Sequence, residues 1–307
     1  MATLARTAAL RSIPNLSPSS PTSSYTAPSR PMPFYPSAHS AAVLRSHKAR
    51  SAHTCAASLL PLLRPTDTLL DIGCGPGTIT ASFAPFVARV TGVEHPSAAA
   101  VLVQARDEAQ QQGLGKVEYV VADAAELPFE DGAFDVVYCN QVLQHVPDPV
   151  AVLREMHRVS RRLVFAREAD RGTFALFPPT PLLARFDELW SLVARAGGGE
   201  PDAARRLKGW AHEAGCSGGA GEGEGARARA GQVTVTTAGE TPDPREWGAV
   251  FAARTVEGGF ADKAKELGFA TEDELRRIGE AWSEWSEKAD AWLGFLQGEM
   301  IVTKEEP

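Results

Sequence analysis

The sequence has few cysteines and no arrangement of them. Cys55, Cys74, Cys139 and Cys216 include no Cys-x-x-Cys pair. That fits neither a disulfide framework nor a cysteine-rich zinc site, so no metal is expected, and it points to a reducing compartment. No apolar run approaches the ~18 residues of a membrane span, so no membrane insertion is expected. No Ser/His/Asp order, H-E-x-x-H or carboxylate pair suggests hydrolysis. The most local absence lies in residues 1–66, which hold no Asp, Glu or Gly but seven Lys/Arg. Residues 67–307 then carry 24 basic and 38 acidic groups. An acidic body argues against charge-driven binding to nucleic acid phosphates.

What is present is ordinary for a folded chain of 307 residues: 44% hydrophobic, 22% charged and 7% aromatic. That length suits one large domain or two modest ones. Residues 1–40 hold seven Pro, nine Ser and four Thr, a composition that buries too little apolar surface to offset ordering entropy. Three readings of this head stay open. It is a disordered tail, an Arg- and Ser-bearing transit segment, or sequence preceding a start at Met32. The expected location is cytoplasmic, with the mitochondrial matrix as the alternative.

From Ala41 the pattern becomes structured. Val43, Leu44, Ala52, Leu59, Leu60 and Leu63 suggest one or two helices ending near Pro65. Strand-like runs follow at 67–72, 88–93, 117–121, 134–138 and 163–166. Helix-like segments lie at about 78–87, at 97–112 (closed by Gly113) and at 147–159. Strands alternating with helices predict a parallel sheet covered on both faces.

Ligand chemistry in such sheets gathers at the carboxyl ends of the strands. After the first strand comes Asp71-Ile-Gly73-Cys74-Gly75-Pro-Gly77-Thr78. Glycines there let the backbone approach a ligand, and the helix beyond offers unpaired N–H groups. Glu94, at the end of the second strand, can accept hydrogen bonds from two ribose hydroxyls. A dinucleotide fingerprint needs Gly-x-Gly-x-x-Gly, whereas here the third glycine comes one residue early, which disfavours a nicotinamide oxidoreductase. Glycines alone are a weak signal; Asp71-x-Gly73-x-Gly75-x-Gly77, then Glu94, then Asp123 at successive strand ends is a much stronger one.

This array resembles the class I S-adenosylmethionine-dependent methyltransferases. The resemblance implies that Gly73, Gly75 and Gly77, with Cys74 in the same loop, leave room for the methionine and ribose parts of S-adenosylmethionine. It implies that Asp71 positions the amino group and that Glu94 holds the ribose hydroxyls. His95 would flank the adenine, Asp123 would accept from its amino group, and the Ala124 N–H would face the ring. Asn140 and Gln141 would lie beside the methyl donor. The run LPFEDGAFDVVYCNQVLQHVPDPVAVLREMHRV is similar to the ubiquinone/menaquinone-biosynthesis-type small-molecule methyltransferases. AVLRSH (42–47), GGEPDAARRL (198–207) and the Trp-rich end resemble a bacterial and fungal subgroup of that type.

The implied fold is α/β and Rossmann-like: a seven-stranded, mostly parallel sheet with one antiparallel edge hairpin, helices on both faces and helical cap insertions. The expected organisation is a tail (1–40) and a methyltransferase domain (41–307). The latter divides into an N-terminal helical cap (41–66), a cofactor-binding core (67–170), a helical substrate insertion (171–214), a flexible Gly-rich loop (215–231) and C-terminal strands and helices (232–307). The family's Pro-Gly-Gly before the fifth strand is replaced by Val159-Ser-Arg-Arg162-Leu163, which predicts an altered turn outside the cofactor pocket.

In the C-terminal part, Pro181 to Ala196 and Ala203 to Ala214 read as helices. Thr271-x-x-Glu274 is a capping-box signature opening a helix with Leu275, Ile278, Trp282 and Trp285 on one stripe. Helical spacing assigns Trp282 and Trp285 to the core, while Trp190, Trp210 and Trp247 are equally suited to core or pocket. Strands are expected at 232–237 and 299–303, the latter antiparallel at the edge beside the former.

Methyl transfer from a sulfonium requires alignment of nucleophile and methyl carbon and exclusion of water. His145 is the candidate base, against a reading as a loop-holding residue. Arg167, Glu168 and Asp170 could bind a polar acceptor group; Trp190 could line its pocket; Arg45 and His47 could close over the cofactor, Arg45 on its carboxylate. The expected reaction is O- or C-methylation of a small molecule, with no nucleic acid partner; the alternative is a cofactor-binding protein without turnover. Asn140-Gln-Val-Leu lacks the Asn/Asp-Pro-Pro-aromatic run of enzymes that methylate amino groups on bases or Gln.

Overall fold

The computed structural model describes residues 50–216 and 232–304. The tail, Arg45, His47 and nearly all of the Gly-rich loop lie outside the described residues.

A seven-stranded sheet runs through the described chain. In chain order its first five strands are β1 (Thr68–Ile72), β2 (Arg89–Glu94), β3 (Val117–Val121), β4 (Phe134–Asn140) and β5 (Ser160–Phe177), followed by β6 (Gln232–Glu240) and β7 (Trp292–Thr303). Their order across the sheet is β3-β2-β1-β4-β5-β7-β6. The first five are mutually parallel, and β7 runs antiparallel to both neighbours. The last strand is therefore one position in from the edge, between β5 and β6, and β6 forms the edge.

The pleat sorts side chains between the two faces. Leu70, Ile72, Val137 and Cys139 enter one core, while Leu69, Val136 and Tyr138 enter the other. The first core is covered by α4 (Pro149–Val159) and α6 (Ala203–Glu213), through Leu153, Met156, Leu207 and Trp210. The second is covered by α1 (Ala52–Cys55) and the segment around α2 (Thr78–Ser82), where Phe83 meets Tyr138 edge-on and Tyr138 stacks on Phe165. Helix α3 (Val101–Gln111) packs a smaller cluster against Tyr119.

Several elements differ from expectation. Helix α2 ends at Ser82, not near Val87. The glycine-free segment before the fifth strand is not a loop at all. Ser160 both caps α4 and starts β5, and Arg162 reaches back to pair with the buried Asp67. Strand β5 runs on for 18 residues, well past Ala166. Its second half and the first half of β7 form a ribbon beyond the parallel strands. A third core sits on that ribbon, built by α5 (Pro181–Ala196), α7 (Pro244–Val256), α8 (Gly259–Glu266) and α9 (Glu272–Ser286). Helices α7 and α8 were not anticipated. Thr271 caps α9 by accepting from the Glu274 N–H, and Trp282 and Trp285 are fully buried.

Candidate functional site

The site lies where β1, β2, β3 and β4 end. Asp71, near the end of β1, is buried and accepts a hydrogen bond from the Thr80 hydroxyl at 2.6 Å. Burial outweighs that bond, and with nearby Glu94 adding repulsion the carboxyl is pushed up to about 7. The loop beyond turns on left-handed backbone at Gly73, Gly75 and Gly77. Gly77 caps α2, and a Cβ there would run into the Tyr119 hydroxyl, which itself donates to the Gly77 carbonyl at 3.2 Å. A Cβ on Gly73 would strike Val142. These two glycines are therefore required by the protein's own packing. Gly75 alone borders open space, with no atom within 4 Å of a built Cβ. Cys74, between them, is buried and donates its N–H to the Val93 carbonyl.

Glu94 accepts from the Gly75 N–H at 2.8 Å on one oxygen and from the His95 N–H at 2.9 Å on the other. It thus ties the crest of the loop to the end of β2, with a lone pair left on each oxygen for a ligand. The His95 ring is held by Ser97 at 2.7 Å. Beyond β3, Asp123 accepts from the Ala125 N–H at 2.9 Å and pairs with Glu126 in a single antiparallel bridge. Ala124 lies in that turn.

After β4 the chain makes its one left-handed non-glycine turn among the described residues, at Gln141 with φ 56°. Such a residue persists only where its surroundings hold it. Here Gln141 N–H donates to the Arg167 carbonyl at 2.7 Å. The next three N–H groups, of Val142, Leu143 and Gln144, donate to the Glu168 carboxylate at 2.9, 2.8 and 3.2 Å. The Gln141 side chain accepts from Arg50 at 2.9 Å.

This corrects the expected acceptor group. Arg167 does not line the cavity; its guanidinium is buried between Glu240 and Glu299 and donates to Asn140. Glu168 clamps the turn after β4, and Asp170 pairs with Arg205. Asn140 is likewise engaged by Arg167.

Beside Gln141 opens a cavity. It is lined by Gln141, Gln144 and His145, by Trp190, Trp247 and Phe251, and by Arg50, Arg171 and Arg254. Trp210, by contrast, belongs to the sheet core. Burial and the positive charges of Arg254 and Arg50 drive His145 down to about 3. It is therefore a neutral imidazole, able to accept a hydrogen bond but poorly placed to hold a proton as a cation. Sequence reasoning missed Arg50, Arg171 and Arg254. A lone arginine on a strand or helix carries no motif; only the fold brings these three together. Among the described residues no cluster could hold a metal ion, and no helix is long and apolar enough to cross a membrane.

Comparison with known proteins agrees with this geometry. Residues 70–163 match a family described as a methyltransferase domain. An uncharacterised methyltransferase of Schizosaccharomyces pombe is 29% identical over 286 residues, spanning 89% of this chain and 97% of that protein. A ubiquinone biosynthesis O-methyltransferase of Pseudomonas paraeruginosa is 40% identical over 93 residues, 30% of this chain and 39% of that one. The solved YcgJ protein of Bacillus subtilis superposes with a TM-score of 0.50 at 18% identity, covering 82% of this chain and 99% of that one, a likeness of fold. The matched domain falls on the strands that carry the loop, the two acidic strand ends and Gln141, and the fission-yeast relative runs nearly end to end; this chain carries a methyltransferase domain.

Proposed function

We propose that the enzyme takes its methyl group from S-adenosylmethionine and transfers it to a hydroxyl of a small-molecule acceptor held in the cavity beside Gln141. The observation that carries this reading is the adjacency of two unlike spaces. One is the opening at Gly75, whose N–H is tied to Glu94 at the end of β2; the other, beside the turn after β4 on the opposite flank of β1, is lined by aromatic rings and guanidinium groups.

The residues fit the donor. Gly75 leaves backbone open to a ligand, Glu94 has free lone pairs for ribose hydroxyls, and Asp123 with the Ala124 backbone offers the pair of contacts an adenine edge needs. Asp71 and Glu94 place negative charge near a cationic ligand. When bound, S-adenosylmethionine supplies an electrophilic methyl group.

The chain's own residues then have separate tasks. Glu168 fixes the backbone from Val142 to Gln144, so that Gln141 and His145 keep their positions at the junction of the two spaces. The aromatic wall excludes water, which strengthens every charge interaction inside. His145, neutral, can accept a hydrogen bond from an acceptor hydroxyl and orient it. The nearby arginines favour the ionised acceptor, whose hydroxyl proton is lost to solvent on binding, so deprotonation needs no strong protein base. Similarity over 93 residues to an O-methyltransferase supports oxygen as the acceptor atom.

The test has two parts. Calorimetry is expected to give saturable S-adenosylmethionine binding that Glu94→Ala weakens strongly. Extracts incubated with isotopically methyl-labelled donor should then yield an enzyme-dependent labelled small molecule. Absence of donor binding at millimolar concentration would sink the proposal; binding without label transfer across several extracts would favour a binder without turnover.

A further inference from the structure

The acceptor cavity carries a charge that methyl transfer does not by itself require. The Arg171 guanidinium lies 4.2 Å from the Phe174 ring centre and 5.3 Å from that of Trp190. The Arg254 guanidinium lies 5.5 Å from the same indole. Two cations thus face one ring, and Arg50 lines the same space. Arg171 is partnered through its Nε by Asp187, yet its Nη2 is buried with no hydrogen-bond acceptor. No Asp or Glu stands among the described residues lining the cavity. Buried guanidinium donors are costly to leave unmatched, so the wall lacks one thing: an anionic acceptor of hydrogen bonds.

We infer that the acceptor is a flat aromatic acid, its ring received by Trp190, Trp247 and Phe251 and its carboxylate by Arg171 and Arg254, with the reacting hydroxyl turned toward Gln141 and His145. This rests on the methyltransferase reading above and deepens it. A planar carboxylate matches the fork of a guanidinium, and two arginines can share its two oxygens. Flat aromatic walls favour a ring, which stacks without losing internal rotations.

The experiment uses the full chain. S-Adenosylmethionine is titrated first by calorimetry. With S-adenosylhomocysteine then held at saturation, hydroxynaphthoic acids, their carboxamides and hydroxynaphthyl phosphates are titrated in turn. The acids are expected to bind at least roughly tenfold more tightly than the carboxamides, the difference a charge-assisted pair makes in a partly desolvated site. Arg254→Gln should erase most of that preference, and Arg254→Lys, which keeps the charge, should retain part of it. Equal affinity for acid and carboxamide, a preference for the phosphates, or no acid binding by protein that binds the donor would overturn the inference while leaving the methyltransferase reading intact. Failure to bind S-adenosylmethionine would overturn both.

Discussion

The three loop glycines should separate into one that serves the ligand and two that serve the fold, and alanine substitution tests this. All three have left-handed backbone, so each alanine costs about 1 kcal/mol from that conformation alone. For Gly75→Ala nothing more is added in the ligand-free protein, because a Cβ there meets no atom within 4 Å. Gly77→Ala must also displace the Tyr119 ring and lose its hydrogen bond to the Gly77 carbonyl, which adds about 1 to 3 kcal/mol of overpacking. Denaturant titration should therefore place Gly75→Ala about 1 kcal/mol below wild type and Gly77→Ala about 2 to 4 kcal/mol below it. Donor affinity should show the reverse order. A methyl group in the space a bound ligand would occupy is expected to cost Gly75→Ala roughly tenfold or more by calorimetry, while Gly77→Ala, where it remains folded, loses less. Wild-type donor affinity in Gly75→Ala would refute the assignment of that open space to the cofactor.

Asp71, pushed up to about 7 from its ordinary value of 3.8, stabilises the folded protein below pH 4 and loses that contribution as pH rises through 7. Between pH 5 and 8 its share is about 2 to 3 kcal/mol, so the stability of Asp71→Asn should fall less over that interval than that of wild type, while its donor binding weakens; identical slopes would disprove the burial argument. Removing Asp67 strands the buried Arg162 guanidinium, and Asp67→Ala should cost about 3 kcal/mol in denaturant titration, part of which Asp67→Ala with Arg162→Met should recover. All four cysteines are buried, and burial pushes Cys74 and Cys139 well up and Cys216 up to about 11. Ellman's reagent should label none in the native protein within minutes and all four in denaturant; rapid labelling of one in native buffer would contradict the packing.

The strand ends proposed as the donor half of the site were legible in the sequence because their residues are bound to local signals. Asp71, the glycines, Glu94 and Asp123 each follow a short strand whose alternation or apolar run is visible without the fold, and the structure sets them at neighbouring strand ends. The acceptor half was not legible, for two physical reasons. Helix α7 sets Trp247, Phe251 and Thr255 on one face, but Ala249, Ala252, Ala253 and Val256 put apolar residues on the other, and so it shows no single stripe to read. Strand β5 was cut short at Ala166 because Arg167, Glu168, Asp170 and Arg171 look like a solvated turn. Each instead has a specific partner: Glu240 and Glu299, three backbone N–H groups, Arg205, and Asp187. Burial of charge is affordable only when paired, and the pairs come from sequence positions up to 132 residues away.

Those same four charges explain how donor and acceptor spaces are held in register. Arg167 pins β5 to β6 and β7 while its carbonyl anchors Gln141. Glu168, the next residue, holds the three N–H groups that follow Gln141. Asp170 fixes α6 through Arg205, and Arg171 fixes α5 through Asp187 while presenting its guanidinium to the cavity. Over five residues one strand thus ties the turn beside the donor to the helices around the acceptor. A shift of β5 by one residue would turn every one of these side chains to the opposite face. On the proposed function, the register of β5 against β7 therefore sets the spacing between donor and acceptor, and near-attack alignment depends on that spacing to within about an ångström. Charge in this strand is the means by which a sheet strand acts as a ruler.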